Sequence, residues 1–312
     1  MSRSAGEARR ADTATGTTAL IRRHPLVAYF LLAFGISWGG IAIVSGPLGL
    51  TGGPLMVALL LAISAGPTTT SLILTGILDG QAGYRDLLAR LTRWRVAPRW
   101  YAAALLLKPF AMLVVLGALS LASPVFIPGI LTNESPLAQS LGFPSATPAL
   151  IVSLALAAGL VAGLFEELGW TGFATPHLLA RHGCLAAGLT LGLLWATWHI
   201  AADITGTATD WSEQWPWRVL TWMYAGMVPY RVLMTWVYRH TRSLLLGVLM
   251  HTAYTGGQAL LQPGAASHTE SLLWWGFLGV ALTLVVTMVA LADRVHLLRP
   301  ATLQQAPSGA AA

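Results

Sequence analysis

The chain has 312 residues, of which 55% are hydrophobic and only 10% charged, with a mean hydropathy of +0.65. A soluble protein of this length needs more charge to cover its surface, so the composition excludes a water-soluble globular domain. The net charge of +6 follows from where the basic residues sit and calls for no nucleic-acid partner.

A helix needs about 20 mostly apolar residues to cross the hydrocarbon core. Eight stretches qualify: 26–46, 54–78, 101–122, 148–171, 184–203, 217–238, 242–262 and 272–292. We therefore expect an all-α, polytopic membrane protein of about eight spans, with one membrane domain over 25–299. Residues 1–24 are rich in Ser, Ala, Thr and Arg without periodicity, and 300–312 are similar; both read as disordered tails. The first span is too long for a secretory signal and no small-residue cleavage site clearly follows it, so it reads as retained.

After the second span, Tyr84, Leu87, Leu88, Leu91 and Trp94 recur at helical spacing, with arginines on the other face. This predicts an amphipathic helix in the membrane interface, a basic anchor for anionic lipid rather than a substrate-docking surface. In the third span Lys108 precedes Pro109 and is expected to snorkel.

The fourth span carries the costliest feature. Glu166 and Glu167 stand side by side in LALAAGLVAGLFEELGWTGFATP, and nothing charged lies upstream until Glu134. An acid at membrane depth costs about 3 kcal/mol or more, so a pair needs a use or a neutralising partner. Gly169, Gly172 and Pro176 interrupt the helix just beyond, and broken helices near buried charge line cavities rather than lipid.

The fifth span opens at Cys184, whose solitude rules out an internal disulfide or a CxxC metal site, and it carries His199. Trp211, Trp215 and Trp217 cluster near span ends, as interfacial anchors do. The sixth span holds Arg231, and the seventh holds His251 and Thr255. His177, His182, His240 and His296 fall in turns and are expected to be solvated.

Charge placement checks the span count. With eight crossings, fifteen arginines fall on one side, and the other holds Arg218 with Glu134, Asp203, Asp210, Glu213 and Glu270. The positive-inside rule then puts both termini in the cytoplasm. One lysine against seventeen arginines, with a single asparagine, resembles high-GC bacterial usage and favours a bacterial plasma membrane.

Depth arguments bring the polar groups together. Glu166 lies 17 residues before Gly183 and His199 lies 16 after it, so in a helical hairpin both sit about 25 Å from the turn. His251 is about 14 Å beyond Arg242, a mismatch that tilt can absorb. Glu166, His199 and His251 can therefore meet in a wet pocket. A buried carboxylate can hold a water as general base, and imidazoles can orient it, stabilise an oxyanion or bind a metal such as zinc. The expectation is a hydrolytic site within the bilayer, with membrane lipid and a peptide or membrane protein as partners. HExxH, GxSG and GxGD are absent, which counts against the metallo-, serine and aspartyl types of intramembrane protease.

The order Glu-Glu…His…His over spans four, five and seven resembles the CAAX-protease and bacteriocin-processing family of intramembrane proteases (CPBP, or Abi). Its motifs are EExxxR, here EELGWT from Glu166; FxxxH, here WATWH ending at His199; and HxxxN, here HTAYT from His251. The similarity covers about 148–262, and TWVYRHTRSLLLGVLMH also resembles the approach to the third motif. It implies an endopeptidase in which Glu166 activates water with His199, while His251 and residue 255 stabilise the oxyanion. It leaves metal use open, with Glu166, His199 and His251 as the donors if one is used. Thr171 stands in place of the family's arginine, Trp195 in place of phenylalanine and Thr255 in place of asparagine. The alternative is a non-catalytic membrane protein, such as an immunity factor or a small-solute transporter.

Because Thr171 removes the local partner of Glu167, we expect Arg231 to point inward and pair with Glu167 across helices. The competing outcome is that Arg231 snorkels to headgroups while Glu167 is protonated or bonds Trp170 or the backbone.

Overall fold

The computed structural model describes residues 16–143, 146–294 and 297. Among these the regular structure is helical, without strands. The spans are α1 Pro25–Ser45, α2 Gly52–Leu91, α3 Pro98–Ser120, α4 Pro148–Gly169, α5 Cys184–Trp211, α6 Val228–Thr241, α7 Leu244–Leu261 and α8 His268–Ala292. Seven of these passages are single helices long and apolar enough to cross a membrane. The expected sixth span, 217–238, differs. It is helical throughout but runs as Trp215–Arg218, a π-helical segment Val219–Met227 and then α6, so no single helix reaches spanning length. Pro229 lacks the N–H that would continue the α-helical ladder, and α6 carries Arg231, Arg239 and His240. The chain is a multi-pass, all-α membrane protein.

Prolines and glycines shape the packing. Pro67 lies inside α2 and cannot donate to the Ile63 carbonyl; Ser37 of α1 donates to it at 2.6 Å instead. Two seams of small residues bring helices close. A Cβ at Gly163 of α4 would lie 2.7 Å from the Val248 carbonyl oxygen of α7, and one at Gly159 would lie 2.6 Å from that of Thr252. On α5, Gly188 and Gly192 press in the same way on Val232 and Val228 of α6. Such small-xxx-small stripes let backbones approach where apolar surfaces in lipid supply no hydrophobic drive.

Several expectations are corrected. Residues 1–15 and 300–312 lie outside the described residues, but Gly16–Arg23 is a helix, with Arg22 donating to the carbonyls of Ile77 and Leu78. The amphipathic helix is the continuation of α2 beyond a kink at Gly80, whose φ of 59° glycine adopts readily. It ends at Leu91, short of the expected Trp94; Leu88 and Trp94 are exposed, but Arg90 turns inward. Lys108 does not snorkel. It is buried, with Nζ donating to the Tyr254 carbonyl at 2.9 Å and to Gln258 at 3.2 Å, above the Tyr254 ring. Trp211 and Trp215 are not mere anchors: Trp215 donates to Asp203, which also holds Arg218 through both carboxylate oxygens, and Arg218 lies over the Trp211 ring. His240 is paired with Asp293 at 2.6 Å and stacked on Trp100.

Candidate functional site

Glu166 and Glu167 sit at the last turn of α4, where the helix loosens into a π-helical segment, Trp170–Ala174. Pro176 is the local cause, since it has no N–H for the Gly172 carbonyl four residues back. Arg90 supplies the missing donor, with Nη1 2.9 Å from that oxygen and 3.0 Å from the Tyr238 hydroxyl. On the other flank α2 grips the same turn: Thr68 donates to the Phe165 carbonyl, and Ser71 to that of Leu168 at 2.8 Å. The α4–α7 seam then sets His251 against the glutamates, and the α5–α6 seam sets Trp195 beside Arg231.

The two carboxylates have different surroundings. Glu167 is wholly buried and bidentately paired with Arg231, Nη1 to Oε2 and Nη2 to Oε1, both at 2.8 Å. Thr171, one turn on, also donates to Oε2, and His251 Nδ1 lies 2.7 Å from Oε1. Glu166 has no arginine. Its Oε2 accepts from the indole N–H of Trp195 at 2.9 Å and of Trp170 at 3.3 Å, and faces His251 Nε2 at 3.7 Å. Its Oε1 takes no hydrogen bond from the described residues. The Arg231 guanidinium also lies 4.2 Å from the Trp195 ring centre.

The expected pairing of Arg231 with Glu167 is thus present, and Trp170 bonds the other glutamate. Of the expected site residues, Glu166, Glu167 and His251 converge. His199 lies one turn along α5 from Trp195, half-buried, with Nδ1 3.0 Å from the Trp195 carbonyl; it makes no ion pair with Glu166. Trp195 packs against both histidines, its ring 5.5 Å from that of His199 and 5.2 Å from that of His251. Thr255 is half-buried one turn past His251 and bonds neither glutamate. The trio Glu166, His199 and His251 does not fit a metal. Among the described residues no group of three His, Cys, Asp or Glu side chains is placed to hold one, and Glu166 Oε2 is already engaged by two indoles. Residue-type reasoning missed Arg90, paired Trp170 with the wrong glutamate and read Trp195 only as an aromatic exchange. Tryptophans in a membrane chain read as anchors, and only the position of Trp195 four before His199 hinted at more.

A cleft of about 350 Å³ opens at the arginine-rich end, bounded by Asp79, Arg90, Arg93, His177 and Arg242. Its lining reaches Gly172 and Tyr238 but stops short of Glu166 and His251.

The family model described as "Type II CAAX prenyl endopeptidase Rce1-like" matches residues 148–256, the stretch that holds both glutamates and both histidines. A similar curated protein is "CAAX prenyl protease 2" of Methanococcus maripaludis, 28% identical over 105 residues. That alignment spans 33% of this chain and 38% of the relative's length. The motif order and the family match fall on the same segment, and the match and the relative both make this chain similar to the CAAX-protease (CPBP) family.

Proposed function

We propose that the protein is an intramembrane endopeptidase of the CAAX-protease type, with Glu166 as the base that activates water. The observation that supports this most is the division of labour between adjacent carboxylates. Glu167 is committed to Arg231, Thr171 and His251, whereas Glu166 keeps one oxygen without a protein partner.

Charge balance supports the same reading. Two carboxylates and one guanidinium leave one net negative charge, and uncompensated charge in a buried site is costly. His251 stands against both carboxylates, with Nδ1 2.7 Å from Glu167 and Nε2 3.7 Å from Glu166, and is placed to offset that charge. In the reaction Glu166 removes a proton from water as the oxygen attacks the peptide carbonyl carbon. The carbonyl π pair moves to oxygen, and His251 Nε2–H stabilises that oxyanion, with Thr255 as a second donor. When the C–N bond breaks, the proton passes from Glu166 to the departing amine. Water is thereby added across the bond. Glu167 orients His251 through Nδ1, and His199 helps to hold the water. The setting we propose is a bacterial plasma membrane with both termini cytoplasmic.

Glu166→Ala and His199→Ala are each expected to abolish hydrolysis while expression and membrane insertion stay intact. Substrates come from N-terminal proteomics of membranes with and without the gene, and candidate peptides are then assayed with purified variants. Wild-type turnover in either variant overturns that residue's role. A transporter would instead carry solute into proteoliposomes, blocked by Glu166→Gln.

A further inference from the structure

We propose that Trp195, seconded by Trp170, is a positioning residue that anchors one oxygen of Glu166 and aims the other at the attacking water. The proposal rests on the general-base reading of Glu166 given above.

A carboxylate has two equivalent oxygens and a soft terminal torsion, so a base on a free side chain is poorly aimed. Here the equivalence is broken. Both indole N–H groups converge on Oε2, at 2.9 Å from Trp195 and 3.3 Å from Trp170, and no described side chain donates to Oε1. The donors arrive from different elements, Trp195 from α5 and Trp170 from the π-helical segment that follows α4. The loosened turn and the helix packing therefore set the aim together.

Indole suits this task better than other donors. It donates and does not accept, and unlike imidazole or ammonium it carries no exchangeable charge. It can stabilise the carboxylate without competing for the proton that the carboxylate is to take from water. Hydrogen bonds to an ionised acceptor are also the stronger kind.

Trp195 is itself held rigidly, as an anchor must be. It is fully buried. Arg231 covers its face at 4.2 Å, and Tyr254 and His251 meet the ring at 5.5 and 5.2 Å between centres. Gly192 of α5 keeps its backbone close to Val228, one turn before Arg231. Arg231 thus touches both halves of the site, pairing with Glu167 directly and pressing on the side chain that holds Glu166.

Trp195→Phe removes the donor but keeps an aromatic face beneath Arg231. With a cleaved peptide in hand, this variant should lower kcat about tenfold or more and change KM by less than about twofold, because aim matters in the transition state and not in binding. Trp170→Phe, which loses the longer bond, should lower kcat by a smaller factor. A second measurement needs neither activity nor a folded Trp195 variant. In protein labelled with ¹⁵N-tryptophan in micelles, two of the thirteen indole N–H signals should move upfield when Glu166→Ala removes their acceptor. Wild-type kcat in Trp195→Phe alongside an inactive Glu166→Ala overturns this proposal alone, as does a spectrum in which no indole signal moves. Full hydrolysis by Glu166→Ala overturns the general-base reading and this proposal with it.

Discussion

Removing either half of the Arg231–Glu167 pair strips a buried charge of its bidentate partner. Arg231→Met should therefore cost about 3–5 kcal/mol, read as a lowered unfolding midpoint of the purified protein in micelles. Adding Glu167→Gln should recover part of that loss, since the double variant buries neither charge unpaired. Losses that simply add would mean that the two groups do not stabilise each other. This pair was legible in the sequence by elimination. Away from their ends, the expected spans hold only Lys108 and Arg231 as basic residues, and Thr171 left Glu167 without its local partner. The same reasoning misjudged Lys108, because snorkelling is argued from helix position alone. Position along α3 does not reveal that Nζ lies within reach of the Tyr254 carbonyl and Gln258. The indole donors were illegible for a related reason. Replacing phenylalanine by tryptophan looks like a mild aromatic exchange until an acceptor is seen 2.9 Å from the new N–H.

At the scale of the element, the break after the glutamates could be placed from Gly169, Gly172 and Pro176, but its form could not. A π-helical register depends on which carbonyls find donors, and composition does not encode that. Pro176 withholds one donor and Arg90, reaching in from the far end of α2, supplies another. The two residues should therefore be coupled. Arg90→Ala leaves the Gly172 carbonyl unmet and should cost about 1–3 kcal/mol. In a Pro176→Ala background a backbone N–H is restored four residues on, and the same Arg90→Ala change should cost measurably less. Because the contacts of Arg90 with Tyr238 and Asp86 are lost equally in both backgrounds, the difference isolates the carbonyl. Equal costs in the two backgrounds would show that Arg90 does not stand in for the proline's missing donor. Interfacial amphipathicity had suggested a helix that only rests on the membrane; Arg90 ties it to the π-helical segment beside Glu166.

Across the whole molecule, opposite ends gather different chemistry, as an alternating bundle requires. One end brings together Arg22 with Ile77 and Leu78, Arg93 with Ser243, and His240 with Asp293. The other joins Asp203 to Arg218 and His268 to Asp210. Most span boundaries were readable to within about four residues because hydropathy and length are local properties, whereas α2 and α5 run on past the expected 78 and 203 to Leu91 and Trp211. The passage over 215–241 was readable only as apolar, and its division into three helical segments makes it the one crossing that length and composition do not establish. Cysteine labelling decides it. The single native cysteine, Cys184, is buried and is replaced by Ala for the purpose. Arg95→Cys and Arg181→Cys should then react with a membrane-impermeant maleimide from one side of oriented vesicles, and Thr132→Cys and Glu213→Cys from the other. Arg242→Cys carries the decision. If 215–241 crosses, residue 242 lies on the side of Arg95 and the positive-inside bias holds, with that side cytoplasmic. If residue 242 labels from the side of Glu213, the passage does not cross. Glu167 and Arg231 would then pair without Arg231 lying in a spanning helix, and the proposed cytoplasmic placement of the C-terminus would fail with it.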